Sequence, residues 1–255
     1  MDLQQQVPVL GVQFTDLRFE EAVQWIRETL RRRGAKQVVL ANAHTLNLAC
    51  ADRVYREVLR GAGLVLRDGV GIELASLMLG HRLRHNFVGT DFIPRCLQAL
   101  ADGRPTVVLF GASPGVAERA RRVLEERCSG VRIVGTLDGY GDAPTAVERV
   151  RALRPDLLLV ALGNPRQEQW IAAHLDELDC RVAIGVGALF DYLSGDVRRA
   201  PRWVLALRCE WIFRLLTEPR RLTRRYLVGN PLFLWRFARS LIRSDTRLRR
   251  VEPSA

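Results

Sequence analysis

Short apolar runs alternate with amphipathic stretches from Gln37 to about Val197. Each apolar run leads into a polar or glycine-containing turn, and the residues after the turn carry apolar positions at helical spacing. Near-continuous apolar strands such as "LLLVAL" are typical of a sheet that is covered on both faces. The pattern therefore predicts an α/β fold, with a Rossmann-like, mostly parallel sheet and helices on both of its faces.

The individual elements follow from the same pattern. Residues 1–36 predict one strand, "VPVLGVQF", and one helix, "FEEAVQWIRETLRRR". The predicted core strands are "QVVLANA", "GLVLRDG", "PTVVLFG", "VRIVG", "DLLLVALG" and "RVAIGVG". The helices predicted to follow them are "TLNLACADRVYREVL", "GIELASLMLG", "VAERARRVLEER", "AVERVRAL", "RQEQWIAAHL" and "ALFDYLSG".

The pattern changes after Asp196, where arginine alternates with Trp, Phe, Leu and Ile at mostly helical spacing. Pro219 and Pro231 divide this segment into about three predicted pieces. Arginine on one face and large apolar side chains on the other are typical of helices that lie in a membrane interface. Ordinary helices docked on the core and a basic nucleic-acid patch are the alternatives. We therefore predict a core over residues 1–197 and a C-terminal helical, membrane-binding appendage over residues 198–255.

The charge distribution singles out the same segment. The chain has a net charge of +11, and fifteen arginines against three acidic residues lie between Arg198 and Arg250. Because Lys36 is the only lysine, nearly all positive charge is guanidinium, which suits bidentate contacts with phosphate. This clustering predicts an anionic partner for the C-terminal segment.

Cysteine usage and the absence of long apolar runs indicate the compartment. The five cysteines are far apart and form no C-x-x-C pair, which argues against a zinc cluster or a disulfide framework and fits a reducing environment. The first residues lack the basic and apolar regions of a signal peptide. No segment reaches the roughly 18 uninterrupted apolar residues that would cross a bilayer. We expect a cytoplasmic protein.

Ligands of doubly wound sheets bind beyond the carboxyl ends of the strands. Asn42 and four turns should meet on that edge of the sheet: Asp68–Gly71, Gly111–Gly115, Gly163–Gln167 and Gly185–Asp191. Glycines such as Gly111, Gly163 and Gly187 let the backbone approach a ligand, and helix N-termini favour anionic groups such as a diphosphate. Neither a G-x-G-x-x-G fingerprint nor a G-x-x-x-x-G-K-[ST] loop is present, which argues against NAD binding and P-loop hydrolysis.

Asp68 is the strongest candidate for a general base, because it is a carboxylate at the predicted crevice edge. An aspartate before a glycine is also common in an ordinary strand-end turn, so both interpretations stay open at this point. His81 and His85 have i, i+4 spacing but lack the glutamate of H-E-x-x-H, which favours surface histidines over a metal site. No G-x-S-x-G nucleophile elbow is present.

Several long motifs together resemble one family. "NAHTLNLACADRVYREVLRGAGLVLRDGVGIELASLMLG" followed by "VGTD" resembles the WecG/TagA/CpsF family of bacterial glycosyltransferases. The stretches "ALGNPRQEQWI", "AIGVGALFDYLSGDVRRAPRW" and "EWIFRLLTEPRRLTRRYLVGNPLFL" resemble it as well. The similarity covers roughly residues 8–236, with the motifs in order and at matching spacing.

The resemblance implies an inverting enzyme that transfers an N-acetylmannosamine-type sugar from a UDP-sugar donor to a polyprenyl-diphosphate-linked sugar. Such a reaction would take place on the cytoplasmic face of the membrane, in cell-surface polysaccharide or teichoic acid assembly. It implies Asp68 as the base that deprotonates the acceptor hydroxyl and Asn42 as a pocket asparagine of the strand-end motif, and we predict both to be catalytic residues. The other residues that the resemblance implies bind substrate are Gln167, Asp191, Arg214, Arg221 and Arg224; the three arginines would serve the diphosphates.

Two positions depart from the family pattern. Leu40 stands where the family often has a threonine, and Asn86 stands where it often has an arginine. These departures leave open a UDP-hexose transferase of exopolysaccharide assembly with the same fold, and a nucleic-acid-binding protein is a remote alternative.

The remaining expectations concern metals and partners. The sequence has no Asp-x-Asp pair that would hold magnesium beside a diphosphate, so we predict a metal-independent enzyme without a cofactor. Expected partners are the donor, the lipid-linked acceptor and the membrane surface, but not nucleic acid. An exposed apolar face on the appendage could also make contacts between subunits of a homo-oligomer.

Overall fold

The computed structural model describes residues 5–207 and 210–249. The strands within these residues are β1 (Gln6–Val9), β2 (Val12–Thr15), β3 (Lys36–Ala41), β4 (Leu64–Arg67), β5 (Thr106–Gly111), β6 (Arg132–Leu137), β7 (Leu157–Ala161) and β8 (Val182–Gly185). The helices that belong to the α/β part are α1 (Phe19–Leu30), α2 (Ala43–Ala51), α3 (Arg53–Gly61), α4 (Val70–Met78), α5 (Gly89–Leu100), α6 (Val116–Arg127), α7 (Ala143–Leu153), α8 (Arg166–His174) and α9 (Leu189–Ser194). The C-terminal helices are α10 (Arg202–Ala206), α11 (Glu210–Thr217), α12 (Pro219–Thr223) and α13 (Gly229–Arg249), with a π-helical turn at Arg224–Val228 between the last two.

Six parallel strands form the central sheet in the order β4-β3-β8-β7-β5-β6. Side chains of one strand alternate between two apolar clusters; Val38 and Leu40 of β3 face one cluster, whereas Val39 and Ala41 face the other. Helices α1, α5, α6 and α9 contribute to the first cluster, and α2, α3, α7 and α8 cover the opposite face. The predicted α/β fold with a parallel sheet and helices on both faces is confirmed.

The N-terminal segment differs from the single predicted strand. It is a β-hairpin in which Val9 pairs with Val12, so Leu10 and Gly11 form a two-residue loop. Both loop residues have positive φ, at 50° and 82°, as the tightest hairpin turns require. The prediction of one strand was wrong because the apolar run on either side of Gly11 concealed the turn.

The predicted helix "TLNLACADRVYREVL" is also divided. Asp52 is extended; it ends α2, and its carboxylate accepts hydrogen bonds from the backbone N–H groups of Val54 and Tyr55 at the start of α3. Aspartate is a strong N-cap, and this local interaction competes with helix continuation.

The structure also contains a helix that the pattern does not predict, α5, in which Pro94 lies inside the helix. An interior proline lowers helix propensity, and only the burial of Phe92, Ile93, Cys96, Leu97 and Leu100 overrides it.

The C-terminal segment docks on the α/β part. Phe233 and Phe237 of α13 are buried in the cluster that β1, β2, α2 and α3 share. The Asn47 side chain of α2 donates to the carbonyl of Gly229 at 2.6 Å, and Arg236 donates to the Asn47 carbonyl at 2.6 Å.

The two prolines of the C-terminal segment have different effects. Pro219 begins α12, whereas Pro231 lies in the first turn of α13 and does not divide the segment there. The domain boundary at residues 197/198 stays a prediction, and none of the described helices is both long and apolar enough to cross a bilayer.

The docking of α13 generates a test of stability. We expect Phe233→Ala to lower the free energy of unfolding by about 3–5 kcal/mol, because it leaves a cavity under α13. Trp235→Ala is the matched control on the same helix; Trp235 is 56% exposed, so its truncation should change stability by about 0.5 kcal/mol or less. Urea unfolding followed by circular dichroism measures both. Equal midpoints for the two variants would contradict the docking of α13.

Candidate active site

Asn42 and Asp68 lie side by side at the carboxyl ends of neighbouring strands. Ala41 of β3 pairs with Arg67 of β4, so the residue after each strand emerges at the same level. The Asn42 Nδ2 atom donates to Asp68 Oδ2 at 3.2 Å. Asn42 Oδ1 accepts from the backbone N–H groups of His44 and Thr45 at the start of α2. Because its oxygen is engaged with α2, the amide is oriented with its nitrogen toward Asp68.

The backbone on both sides of Asp68 is held firmly. Its own N–H donates to the Ala41 carbonyl at 2.8 Å, which extends the β3–β4 ladder by one residue. Gly69 follows with φ of 94°, a conformation that favours glycine, and its N–H donates to Asn86 Oδ1 at 2.7 Å. Arg67, with a side chain only 5% exposed, forms a 2.7 Å ion pair with Glu73 of α4. The carboxylate therefore projects from a fixed turn.

The surroundings of Asp68 tune its basicity. Burial raises the pKa of Asp68 above its ordinary value, while the hydrogen bond from Asn42 and the positive charges of Arg225, Arg214 and Arg67 act in the opposite direction. A carboxylate with a raised pKa is a stronger proton acceptor than an exposed aspartate. Perturbed carboxyl groups of this kind cluster at functional sites. The arrangement can accept a proton from a hydroxyl group that enters the crevice.

The predicted glycine turns lie at the same edge of the sheet. β8 pairs with β3, and β7 and β5 follow β8 in the same parallel sheet. Gly111 ends β5, Gly163 follows β7 and Gly187 follows β8. Gly111 has φ of 122°, and a Cβ placed there would lie 2.5 Å from the Ala161 carbonyl oxygen, so the close approach of β5 and β7 requires a glycine. Apart from the adjacent residues in the chain, no atom of residues 5–207 and 210–249 lies within 4 Å of a Cβ built at Gly163 or Gly187, which leaves space beside those turns.

Gln167 joins two of these turns from beneath. It is only 2% exposed, and its Oε1 accepts from the N–H groups of Gly163 and Gly187 at 3.2 and 3.0 Å. Its Nε2 donates to Glu168 Oε1 at 2.6 Å. All of these contacts are with the protein itself, so in this structure Gln167 fixes the positions of the two turns that border the crevice.

Glu168 extends this arrangement and is a residue that sequence reasoning missed. It is fully buried, accepts from Tyr55 Oη at 2.9 Å and from Asn164 Nδ2 at 2.7 Å, and its pKa is raised by burial against these hydrogen bonds. A Cβ at Gly185 would lie 2.6 Å from Gln167 Nε2, so a larger residue there would displace the Gln167 amide. The adjacent glutamine and glutamate after β7 were the available signal, but sequence alone does not show that both side chains are buried.

Asp191 and Arg214 are both associated with Tyr192, one in sequence and one in space. Asp191 is half-buried on α9, next to Tyr192, and the Arg214 guanidinium of α11 lies 5.5 Å from the Tyr192 ring centroid. Burial raises the pKa of Tyr192 to about 12, so its hydroxyl keeps its proton at neutral pH. The Tyr192 hydroxyl is buried, and no hydrogen-bond partner for it lies within residues 5–207 and 210–249.

The three predicted arginines are placed differently. Arg214 is half-buried, and its positive charge lowers the pKa of Asp68, whereas Arg224 is exposed. The side chain of Arg221 lies outside the described residues. Arg225 is half-buried in the π-helical turn, and its charge lowers the pKa of both Asp68 and His44.

Arg225 and His44 are further residues that the sequence did not single out. Two adjacent arginines in "TRRY" cannot be told apart by helical spacing when the backbone makes a π-helical turn, which shifts the phase of the side chains. Burial, with the charge of Arg225, lowers the pKa of His44 to about 4, so this histidine is neutral at physiological pH. Among the described residues, no three His, Cys, Asp or Glu side chains converge to hold a metal ion.

Comparison with known proteins places the chain in a family. The model of the family described as "Glycosyl transferase WecG/TagA/CpsF family" matches residues 7–247. The chain is similar to the N-acetylglucosaminyldiphosphoundecaprenol N-acetyl-beta-D-mannosaminyltransferases of Staphylococcus aureus strains MRSA252, NCTC 8325 / PS 47 and COL. Each is 30% identical over 238 residues, which cover 92% of this chain and 92% of the relative. As its motifs predicted, the chain belongs to the WecG/TagA/CpsF family and is a glycosyltransferase.

Proposed function

We propose that the protein transfers an N-acetylmannosamine-type sugar from a UDP-sugar to a polyprenyl-diphosphate-linked sugar, with inversion at the anomeric carbon. The observation that carries the proposal is the half-buried Asp68 carboxylate, which Asn42 orients and which arginines of the C-terminal segment face. The names of the relatives, which specify a diphosphoundecaprenol acceptor and a mannosaminyl group, support the same substrate classes.

In the proposed reaction, Asp68 removes the proton from the acceptor hydroxyl. The oxygen then forms a bond to the anomeric carbon on the face opposite UDP, and the bond between that carbon and the diphosphate oxygen breaks. The electron pair leaves with UDP, so negative charge accumulates on the diphosphate. Arg214 and Arg225 would stabilise that charge, because preorganised cations act most strongly in a site that excludes water. The neutral Tyr192 hydroxyl beside Arg214 is available as a further donor to the nucleotide.

Asp68→Asn tests the base. We expect kcat to fall by about 10²–10⁴-fold, since the amide keeps the shape of the side chain but does not accept a proton. UDP binding, measured by calorimetry, should stay within about twofold of the original, because the base contacts the acceptor rather than the nucleotide. Asp102→Asn is the control: Asp102 has a side chain 73% exposed, and its variant should retain normal turnover. Near-normal turnover by Asp68→Asn would refute the assignment.

A pair of neighbouring variants tests the cations. We expect Arg225→Gln to lower kcat/KM for the UDP-sugar by about 10–100-fold, because it removes one half-buried charge from the crevice. Arg224→Gln removes an equal charge from an exposed position and should change kcat/KM by about threefold or less. Steady-state kinetics with varied donor concentration separates the two. The reverse order of effects would assign the diphosphate contact to Arg224, as the family resemblance implies.

The donor and the metal requirement are tested in one assay. A panel of UDP-sugars with a lipid-diphosphate-linked acceptor should give the fastest transfer from UDP-N-acetylmannosamine. We also propose that transfer needs no metal, so the rate should be unchanged in EDTA. Fastest transfer from UDP-glucose would favour the UDP-hexose transferase instead, and recovery of activity only after addition of magnesium would contradict metal independence.

We further propose that the enzyme works at the inner face of the cell membrane. The C-terminal segment combines its arginines with exposed large apolar side chains, which suits an interface with anionic lipids. Those exposed side chains are Trp203, Leu207, Trp211, Ile212, Leu216, Leu227, Val228, Leu234, Trp235 and Ile242. A location at the membrane would bring the crevice to an acceptor whose lipid chain stays in the bilayer.

A further inference from the structure

Helix α4 presents an apolar face to the outside of the protein. Ile72, Ala75 and Ser76 are buried against the core. Leu74, Leu77 and Met78, at i, i+3 and i+4, are 49%, 47% and 60% exposed and lie on one face of the helix. The helix is therefore apolar on its outer face as well as on the face that packs inward.

Helix α6, which also packs on the sheet, shows the kind of side chain that this protein exposes to water. The exposed positions of α6 are all charged: Arg119, Arg122, Glu125, Glu126 and Arg127. α4 carries leucine and methionine at the corresponding outer positions instead. A contiguous apolar surface of this kind marks an interaction site.

The neighbourhood of α4 indicates which partner covers this face. α4 packs beside α13, where the Phe233 ring lies 3.7 Å from the position of a Cβ at Gly71. α13 exposes Leu234 and Trp235, and the Arg239 guanidinium lies 5.2 Å from the Trp235 ring centroid. Trp and Arg beside exposed leucine are typical of the boundary between lipid and water.

Charge distinguishes a lipid surface from a second copy of this chain. Arg82, shortly after α4, is exposed, and the chain carries a net charge of +11. A surface bordered by arginine attracts anionic lipid headgroups and repels an identical surface. The composition of this region thus favours a bilayer as its partner.

We propose that the outer face of α4, formed by Leu74, Leu77 and Met78, is a second bilayer contact in addition to the C-terminal segment. The proposal rests on the proposed function at the membrane and deepens it, because α4 begins at Val70, two residues after Asp68. Nine residues of helix span about 13 Å, so this contact lies near the base. The Arg67–Glu73 ion pair joins α4 to β4, and a bilayer that contacts α4 would therefore lie at a fixed distance from the crevice.

Leu77→Glu tests the contact in the full chain. Sedimentation with phosphatidylglycerol-containing vesicles should show vesicle affinity reduced about tenfold or more, because a leucine leaves the bilayer and a carboxylate would have to enter it. Val54→Glu is the matched control, since Val54 is 71% exposed on α3, and it should change affinity by about twofold or less. Leu77→Trp should bind vesicles more tightly, which keeps the test informative if the glutamate variant folds poorly.

Activity measurements give an independent readout. Leu77→Glu should transfer sugar normally to an acceptor with a short, water-soluble lipid chain. With an acceptor embedded in vesicles its rate should fall in proportion to the lost binding. A reduced rate with both acceptors would indicate damage to the site and overturn the proposal.

The possible outcomes separate the two proposals. If the unmodified protein does not bind the vesicles, the membrane location itself is wrong. If it binds them, and Leu77→Glu and Leu77→Trp bind equally well, only the role of α4 is overturned. Equal weakening by Leu77→Glu and Val54→Glu would trace the effect to charge alone and also overturn it. A Leu77→Glu variant that binds normally but loses a dimer seen by light scattering would assign the face to a second copy.

Discussion

The parallel pairing of β3 with β4 is the constraint on which the candidate site depends. Its register sets Ala41 against Arg67, so Asn42 and Asp68 leave the sheet together. A shift by one residue would turn the side chains of β4 to the opposite face and separate the amide from the carboxylate. The apolar strands prevent such a shift, because β4 is buried along its whole length. Packing of the core therefore fixes the relative positions of Asn42 and Asp68.

The C-terminal segment contributes positive charges to the candidate site. The α/β part supplies a carboxylate and several turns, while Arg214 and Arg225 come from beyond residue 207. Burial of Phe233 and Phe237, with the hydrogen bonds of Asn47, holds α13 against α2. The π-helical turn before α13 is thereby held near Asp68 and His44. The same helix contributes to the stability of the protein and to the electrostatic environment of its candidate base.

Prediction from sequence succeeded where the local pattern and the tertiary outcome agree. The strands of the sheet, most of their helices and the Asn42–Asp68 edge follow from apolar periodicity and from the rule that ligands bind at carboxyl ends of strands. It failed at the hairpin around Gly11, at the break at Asp52 and at α5. The hairpin depends on the backbone preference of Gly11 and the break on the capping by Asp52, whereas α5 depends on the burial of several apolar side chains.

The sequence by itself determined the fold class, the family and Asp68 as the leading candidate base, because each is carried by a pattern that neighbouring residues share. Only the tertiary structure decided which side chains face the crevice. The buried Gln167 side chain joins two turns through hydrogen bonds, and Glu168 is buried beside Tyr55. Of the two adjacent arginines, the one whose charge lowers the pKa of Asp68 is Arg225 rather than the exposed Arg224. The physical reason is that the direction of a side chain depends on helix phase and on packing against residues distant in sequence, and the π-helical turn changes that phase.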